Sequence, residues 1–254
     1  MPPLLDASDI SVNFHGLQAL SHASLTVDDG DVVGLIGPNG AGKTTLFNVI
    51  SGLQRPNSGT VRLSGTDVTR LSPERRARLG MTRSFQHLGL MANQSVRTNV
   101  LAAQYLQAGY RDSLMFVRPG HWRQQERALR LAADDVLDRL ELIDHAETLV
   151  ADLSFATARL VELACVLATN PRLVLLDEPT TGLDVGEVEL LARTITDMRE
   201  QGVTVLTIAH DVGFVMRLCS TVYVLSEGRN IAQGSPADVQ TNPAVITAYL
   251  GGAA

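Results

Sequence analysis

The 254-residue chain contains no apolar run approaching the roughly 18 to 20 residues needed to cross a membrane. Its first stretch, MPPLLDASD, has neither a basic segment nor a long apolar one, so no secretory leader is expected there. The expectation is a cytoplasmic chain that meets a membrane only through partners. Cysteine is scarce: Cys165 and Cys219 lie in the apolar stretches ELACVLAT and MRLCSTVYV, with no CxxC and no histidine at metal spacing. That excludes a disulfide framework and leaves two core thiols in a reducing compartment.

Basic charge is also short. Lys and Arg number 21 against 27 Asp and Glu, a formal net charge of −6, which argues against a general nucleic-acid surface because such a surface needs a concentrated basic face. The clusters RRAR (75–78) and WRQQERALR (122–130) are spaced as solvated helix faces. Internal repeats and low-complexity tracts are lacking. What remains, 45% hydrophobic residues over this length, suffices for a large core in one domain, with or without a subdomain.

Three short apolar runs organise that core. Val32 to Ile36 leads into a glycine-rich turn and then the helical spacing of LFNVISGL. RLVLLDE (172–178) is too short for a typical helix and ends on two acids, while VTVLTIAH (203–210) is β-rich and ends on a histidine. Ligands of open α/β sheets bind beyond the carboxyl ends of the strands, so Lys43, Asp177, Glu178 and His210 are expected to converge. LLDASDISVNF, ASLTVDDGDVV and GTVRLSGTDV alternate as half-exposed strands, which predicts a small flanking antiparallel sheet. Ser72-Pro73 and Ser235-Pro236 suit helix starts. From about 94 to 168 helical patterning dominates; in RALRLAADDVLDRLELI the residues Leu131, Val136, Leu140 and Ile143 recur at helical intervals.

The turn carries the chemistry. Gly37, Pro38, Asn39, Gly40, Ala41, Gly42, Lys43, Thr44 and Thr45 fit GxxxxGK[ST], in which backbone N–H groups wrap phosphates at a helix N-terminus and lysine meets their charge. A chance match in a chain this long is on the order of 1%, and the flanking strand and helix reduce it further. ATP is therefore the expected ligand, with Thr44 on a magnesium ion. Leu173 to Leu176 followed by Asp177 and Glu178 fits the second nucleotide motif: the aspartate supports the magnesium shell and the next carboxylate polarises a water for in-line attack.

With these motifs in order, the whole chain resembles the ATP-binding subunits of ABC transporters. The resemblance implies an α/β P-loop NTPase core of RecA type, with a flanking antiparallel β subdomain and an inserted α-helical subdomain. Residues 1–93 and 169–254 would form the core, and 94–168 the helical part. It further implies a glutamine loop at Gln86 that adds to the magnesium shell, a loop with Asp184 in TTGLD, and a switch histidine at His210 acting with Glu178 and Lys43. Phe14, in VNFHGLQAL, falls where the family stacks a ring on adenine. Taken alone, Phe14 reads as plain core, Gln86 as a surface amide and His210 as a satisfied strand-end histidine; in this order and spacing the functional reading prevails.

The family's LSGGQ signature, which closes over the γ-phosphate held by the opposite subunit of a dimer, is represented here by Leu153, Ser154, Phe155, Ala156 and Thr157. Ser154 keeps a hydroxyl and Ala156 a backbone N–H, but a Cβ at Ala156 crowds a phosphate and Thr157 is shorter than glutamine. A homodimer would carry two impaired sites; a heterodimer whose partner has an intact signature would carry one good site, on this chain's own P-loop. A subunit that closes on ATP without hydrolysing it is the alternative.

The C-terminal run HDVGFVMRLCSTVYVLSEGRNIAQGSPADVQTNPAVITAYLG and the stretch following NVLAAQ are similar to LivG-type ATPases of branched-chain amino acid importers. Urea and amide importers share this type, so the solute stays open; lipopolysaccharide-export ATPases match less well. Such importers pair two ATPase subunits with two membrane permease subunits and a solute-binding protein, which places the chain on the inner face of the cell membrane with no nucleic-acid partner. His87, Leu88, Leu90 and Met91 are candidates either to receive a helix of the permease or to fill a subdomain seam.

Overall fold

The computed structural model describes residues 2–14, 16–84, 89–108, 119–209 and 211–250; for 106–108, 119–125 and 250 it describes the backbone only. Backbone contacts divide the chain into two units: 1–83 with 172–181 and 195–254, and 84–171 with 182–194.

In the first unit, β1 (Leu5–Phe14), β2 (Leu17–Val27), β4 (Ser58–Leu63) and β5 (Thr66–Asp67) form an antiparallel sheet of order β2-β1-β4-β5. The second sheet has order β10-β9-β3-β8-β7-β6. Its members are β3 (Val32–Ile36), β6 (Met81–Arg83), β7 (Leu173–Asp177), β8 (Thr204–Ile208), β9 (Thr221–Ser226) and β10 (Arg229–Gly234). All its pairs are parallel except the edge pair β9 with β10. Every residue of β3, β7 and β8 is buried, as parallel strands covered on both faces require. The sequence patterning thus identified three strands, β3, β7 and β8, and did not single out β6, β9 or β10, although TVYVLS of β9 is itself β-rich.

Helix α1 (Lys43–Ser51) shares one hydrophobic cluster with both sheets. Covered on two sides, it buries Leu46, Phe47, Val49 and Ile50 together, and the fully buried Phe47 alone contributes roughly 2 to 3 kcal/mol. Its C-terminus is closed by Gly52 in the left-handed region (φ 86°) and by Arg76 of α2 (Pro73–Ala77). Arg76 donates to the carbonyls of Val49, Ile50, Thr69 and Leu71 and is 1% exposed. The RRAR cluster is therefore not simply a solvated face: the last carbonyls of α1 lack intrahelical donors and draw one of its arginines into the core.

The second unit gathers α3 (Val96–Ala108), α4 (Pro119–Arg139) and α5 (Phe155–Ala168); the boundary between units falls inside α6 (Val185–Glu200). Of the four apolar residues expected at helical intervals, Leu140 is buried, Val136 and Ile143 are half-buried and Leu131 is exposed; Ala133 and Leu137 supply the buried face of α4, which stops at Arg139 before Glu141 enters the left-handed region (φ 57°). After α7 (Val212–Leu218), the chain ends in α8 (Pro236–Thr241), capped by a reciprocal Ser235–Asp238 box, and α9 (Pro243–Leu250). Among the described residues no helix is long and apolar enough to cross a membrane.

Candidate nucleotide site

The loop between β3 and α1 is shaped by backbone approaches that only glycine permits. At Gly37 (φ 153°) a Cβ would lie 2.1 Å from the Leu225 carbonyl oxygen; at Gly42 (φ 98°) it would lie 2.7 Å from that of Ala19. Neither neighbour is a side chain that can swing away. The turn after β9 clamps the loop further: Gly228 N–H donates to Ala41 O at 3.0 Å, and Ser21 N–H donates to Gly228 O at 2.9 Å. Tyr249 of α9 is hydrogen-bonded to the Gly37 backbone, which partly offsets the upward push that burial gives its phenol.

Lys43 opens α1, with its ammonium folded back over the loop it follows, donating to Gly37 O at 2.7 Å and Pro38 O at 3.0 Å. Burial lowers its pKa, and the Glu178 carboxylate opposes that shift. A desolvated cation at a helix N-terminus, beside N–H groups with no intrahelical partner, makes an anion cradle. Thr44 is exposed at its rim.

Asp177 closes β7 with no exposed side-chain surface, its Oδ2 accepting from Arg83 Nη2 at 2.6 Å. The next residue, Glu178, is half-buried and takes the left-handed conformation (φ 50°), its N–H donating to Ile208 O at 2.8 Å. A non-glycine residue held there stores about 1 to 3 kcal/mol of strain; in return the chain turns sharply at the strand end. Of the four groups expected to converge, Lys43, Asp177 and Glu178 lie together in the first unit, while His210 lies outside the described residues, as do Gln86, His87 and Leu88. Phe14, at the end of β1, is 42% exposed, available to stack rather than consumed as core. Arg83 was missed, since one arginine in a three-residue strand carries no motif.

The hard oxygens of Thr44 and Asp177, beside a glycine cradle for phosphate, are a donor set suited to Mg²⁺, which is held by few protein groups together with phosphates and water.

In the second unit, Ser154 caps α5, its Oγ accepting from Thr157 N–H at 3.0 Å and lying 2.8 Å from Thr157 Oγ1. Ala156 and Thr157 are half-buried and Leu153 precedes them in extended conformation. Phe155 is 56% exposed. Asp184 and Glu187 cap the start of α6 reciprocally, at 2.8 and 2.9 Å, and Val185 between them is 88% exposed. Met91, also exposed, has its backbone held on both sides by the buried Asn99, while Leu90 is half-buried.

The family model described as "ABC transporter" matches residues 20–181, and one described as "Branched-chain amino acid ATP-binding cassette transporter" matches 229–254. The high-affinity branched-chain amino acid transport ATP-binding proteins LivG of Salmonella typhimurium and BraF of Pseudomonas aeruginosa are each 37% identical, over 98% of this chain and 98% of theirs. The lipopolysaccharide export system ATP-binding protein LptB of Haemophilus influenzae is 32% identical over 98% of this chain and 97% of its own. Among solved structures, the ADP conformation of an ATP-binding cassette of an ABC transporter superposes with a TM-score of 0.85 at 29% identity, covering 99% of this chain and 100% of that one.

Proposed function

The chain belongs to the ATP-binding subunits of ABC transporters, as an ATPase that works with membrane permease subunits, and on that premise we propose that it powers import of branched-chain amino acids or related small polar solutes. The C-terminal match and the names of the relatives support that solute class. The observation that carries the site assignment is the grouping of Lys43, which opens the helix after β3, with Asp177 and Glu178 at the carboxyl end of β7, two parallel strands that flank β8.

In this reading Phe14 stacks on adenine and the backbone of Gly37, Pro38, Asn39, Gly40, Ala41 and Gly42 wraps the phosphates. Lys43, with Thr45 beside it, exchanges its two loop carbonyls for phosphate oxygens. Thr44 and Asp177, with Gln86, would hold Mg²⁺, which would supply charge neutralisation for the transferred phosphoryl group. Glu178 orients and polarises the attacking water, and His210 and Lys43 stabilise the charge that develops. Residues 94–168 act as the helical subdomain, within a single ABC ATPase domain spanning 1–254.

Ser154, Phe155, Ala156 and Thr157, with Asp184, face the ATP of a second ATPase subunit. Because the Ser154 hydroxyl already caps Thr157 and a phenyl ring stands at Phe155, a heterodimer whose partner supplies an intact signature is favoured. Leu90 and Met91, with His87 and Leu88, would receive the permease on the inner face of the membrane, and a solute-binding protein would act indirectly through that permease.

The test is ATP turnover by the purified chain, alone and mixed with a candidate partner ATPase subunit. Turnover that requires the partner is expected. Full turnover by the isolated chain would show its own signature to be competent, and binding without turnover in both settings would mark a regulatory subunit.

A further inference from the structure

Arg83 ends β6, an edge strand of the parallel sheet, where an arginine would ordinarily reach water, yet its side chain is only 9% exposed. It points inward and makes a bridge. Nη2 donates to Asp177 Oδ2 at 2.6 Å; Nη1 donates to Asn48 Oδ1 at 2.7 Å and Ser51 Oγ at 2.9 Å, both on α1. The guanidinium also lies over the ring of Phe47, 5.6 Å from its centroid. One planar fork thus fastens the last residue of β7 to the helix whose first turn forms the phosphate cradle.

Two consequences follow from the chemistry. A carboxylate without exposed surface needs a partner for its charge, and Arg83 donates to Asp177 Oδ2 at 2.6 Å. A guanidinium fixed at three points and stacked on a ring also dictates where that carboxylate aims, which a flexible ammonium does not. We infer that Arg83 is a positioning residue for the metal-side carboxylate: it neutralises and aims Asp177 before the nucleotide arrives, and so sets how much Mg²⁺ strengthens nucleotide binding. The inference rests on the reading of Asp177 given above. Outer partners of metal-facing groups commonly govern metal affinity in this way.

The experiment is calorimetric binding of a non-hydrolysable ATP analogue to the full chain, in EDTA and in Mg²⁺, for the unaltered chain, Arg83→Met and Asp177→Asn. The ratio of the two affinities is the readout. In Arg83→Met the ratio should fall about tenfold or more, with metal-free binding close to that of the unaltered chain. A merely structural role would lower both affinities together and leave the ratio alone; that result overturns the proposal, as does an unchanged ratio. If Asp177→Asn keeps the Mg²⁺ effect, or the unaltered chain has none, the reading of Asp177 itself falls and takes the proposal with it. Should Arg83→Met fail to fold, Asn48→Ala decides: it loosens Arg83 and preserves every charge. A fall in its ratio supports the bridge, whereas an equal loss in both conditions or no loss overturns it.

Discussion

The ring of Phe155 lies against the backbone of Gly182. A Cβ built on Gly182 would come within 2.6 Å of Phe155 Cε1 and 2.9 Å of Cδ1, and Gly182 itself is in the left-handed region at φ 81°. An aromatic side chain at the signature position is thereby packed on the loop that leads to Asp184. Gly182→Ala should cost about 1 kcal/mol or more for the backbone alone. In a double-mutant cycle with Phe155→Ala the two should couple by roughly 0.5 kcal/mol or more, read by chemical denaturation. Strict additivity would mean that the ring and the glycine do not support one another.

Lys43 separates stability from binding. Its ammonium is desolvated, donates to the Gly37 and Pro38 carbonyls and feels the Glu178 carboxylate, so Lys43→Met removes a buried charge along with its bonds. Stability should stay within about 1 kcal/mol of the unaltered chain. ATP affinity should fall about 30-fold or more, the loss expected when one member of a desolvated charge pair is truncated. Thermal unfolding and calorimetric titration check the two halves independently.

Arg76 is expected to show the opposite pattern. It touches no part of the proposed nucleotide site, but burial pulls its pKa down to about 10 and its guanidinium satisfies the carbonyls of Val49, Ile50, Thr69 and Leu71. Arg76→Ala should destabilise by about 3 to 5 kcal/mol, because several buried carbonyls lose a charged donor at once, while Val49 O keeps the Gly52 N–H. Arg76→Lys should recover only part of that, since a single ammonium cannot span the four acceptors. Urea denaturation measures both.

Burial pushes the Cys165 and Cys219 thiols up to about 12. Both should therefore be inert to a thiol reagent at neutral pH in the folded chain and react on unfolding. A raised folded-state pKa stabilises the fold fully below the unfolded value of about 9 and loses that contribution as pH climbs through about 12. Stability should accordingly decline over that alkaline window. The double variant Cys165→Ala and Cys219→Ala should show a shallower decline in pH-dependent urea unfolding.

How far the sequence could be read follows from the range of the interactions involved. The phosphate loop, the strand ending in Asp177 and Glu178, and the central parallel strands are legible because each is specified within about ten consecutive residues by glycines, apolar runs and their polar ends. Arg76 and Arg83 were not, because their partners lie elsewhere: Val49 and Ile50 for one, Asn48 and Asp177 for the other. The same holds for Phe155 and Gly182, 27 positions apart, whose relation exists only after folding. On α4 the pattern leaves open which apolar residues are buried, because Leu131 is as apolar as Leu137 and only packing shows which of them faces the core.

The most direct measurement is ATP turnover and ATP retention by Glu178→Gln beside the unaltered chain, each mixed with the partner ATPase subunit. The expected result is a fall in turnover of about a hundredfold or more, with nucleotide binding retained, because the amide keeps the shape of the side chain and cannot polarise the attacking water. Turnover matching the unaltered chain would contradict Glu178 as the group that activates water and, with it, the assignment of the working site to this chain's own P-loop.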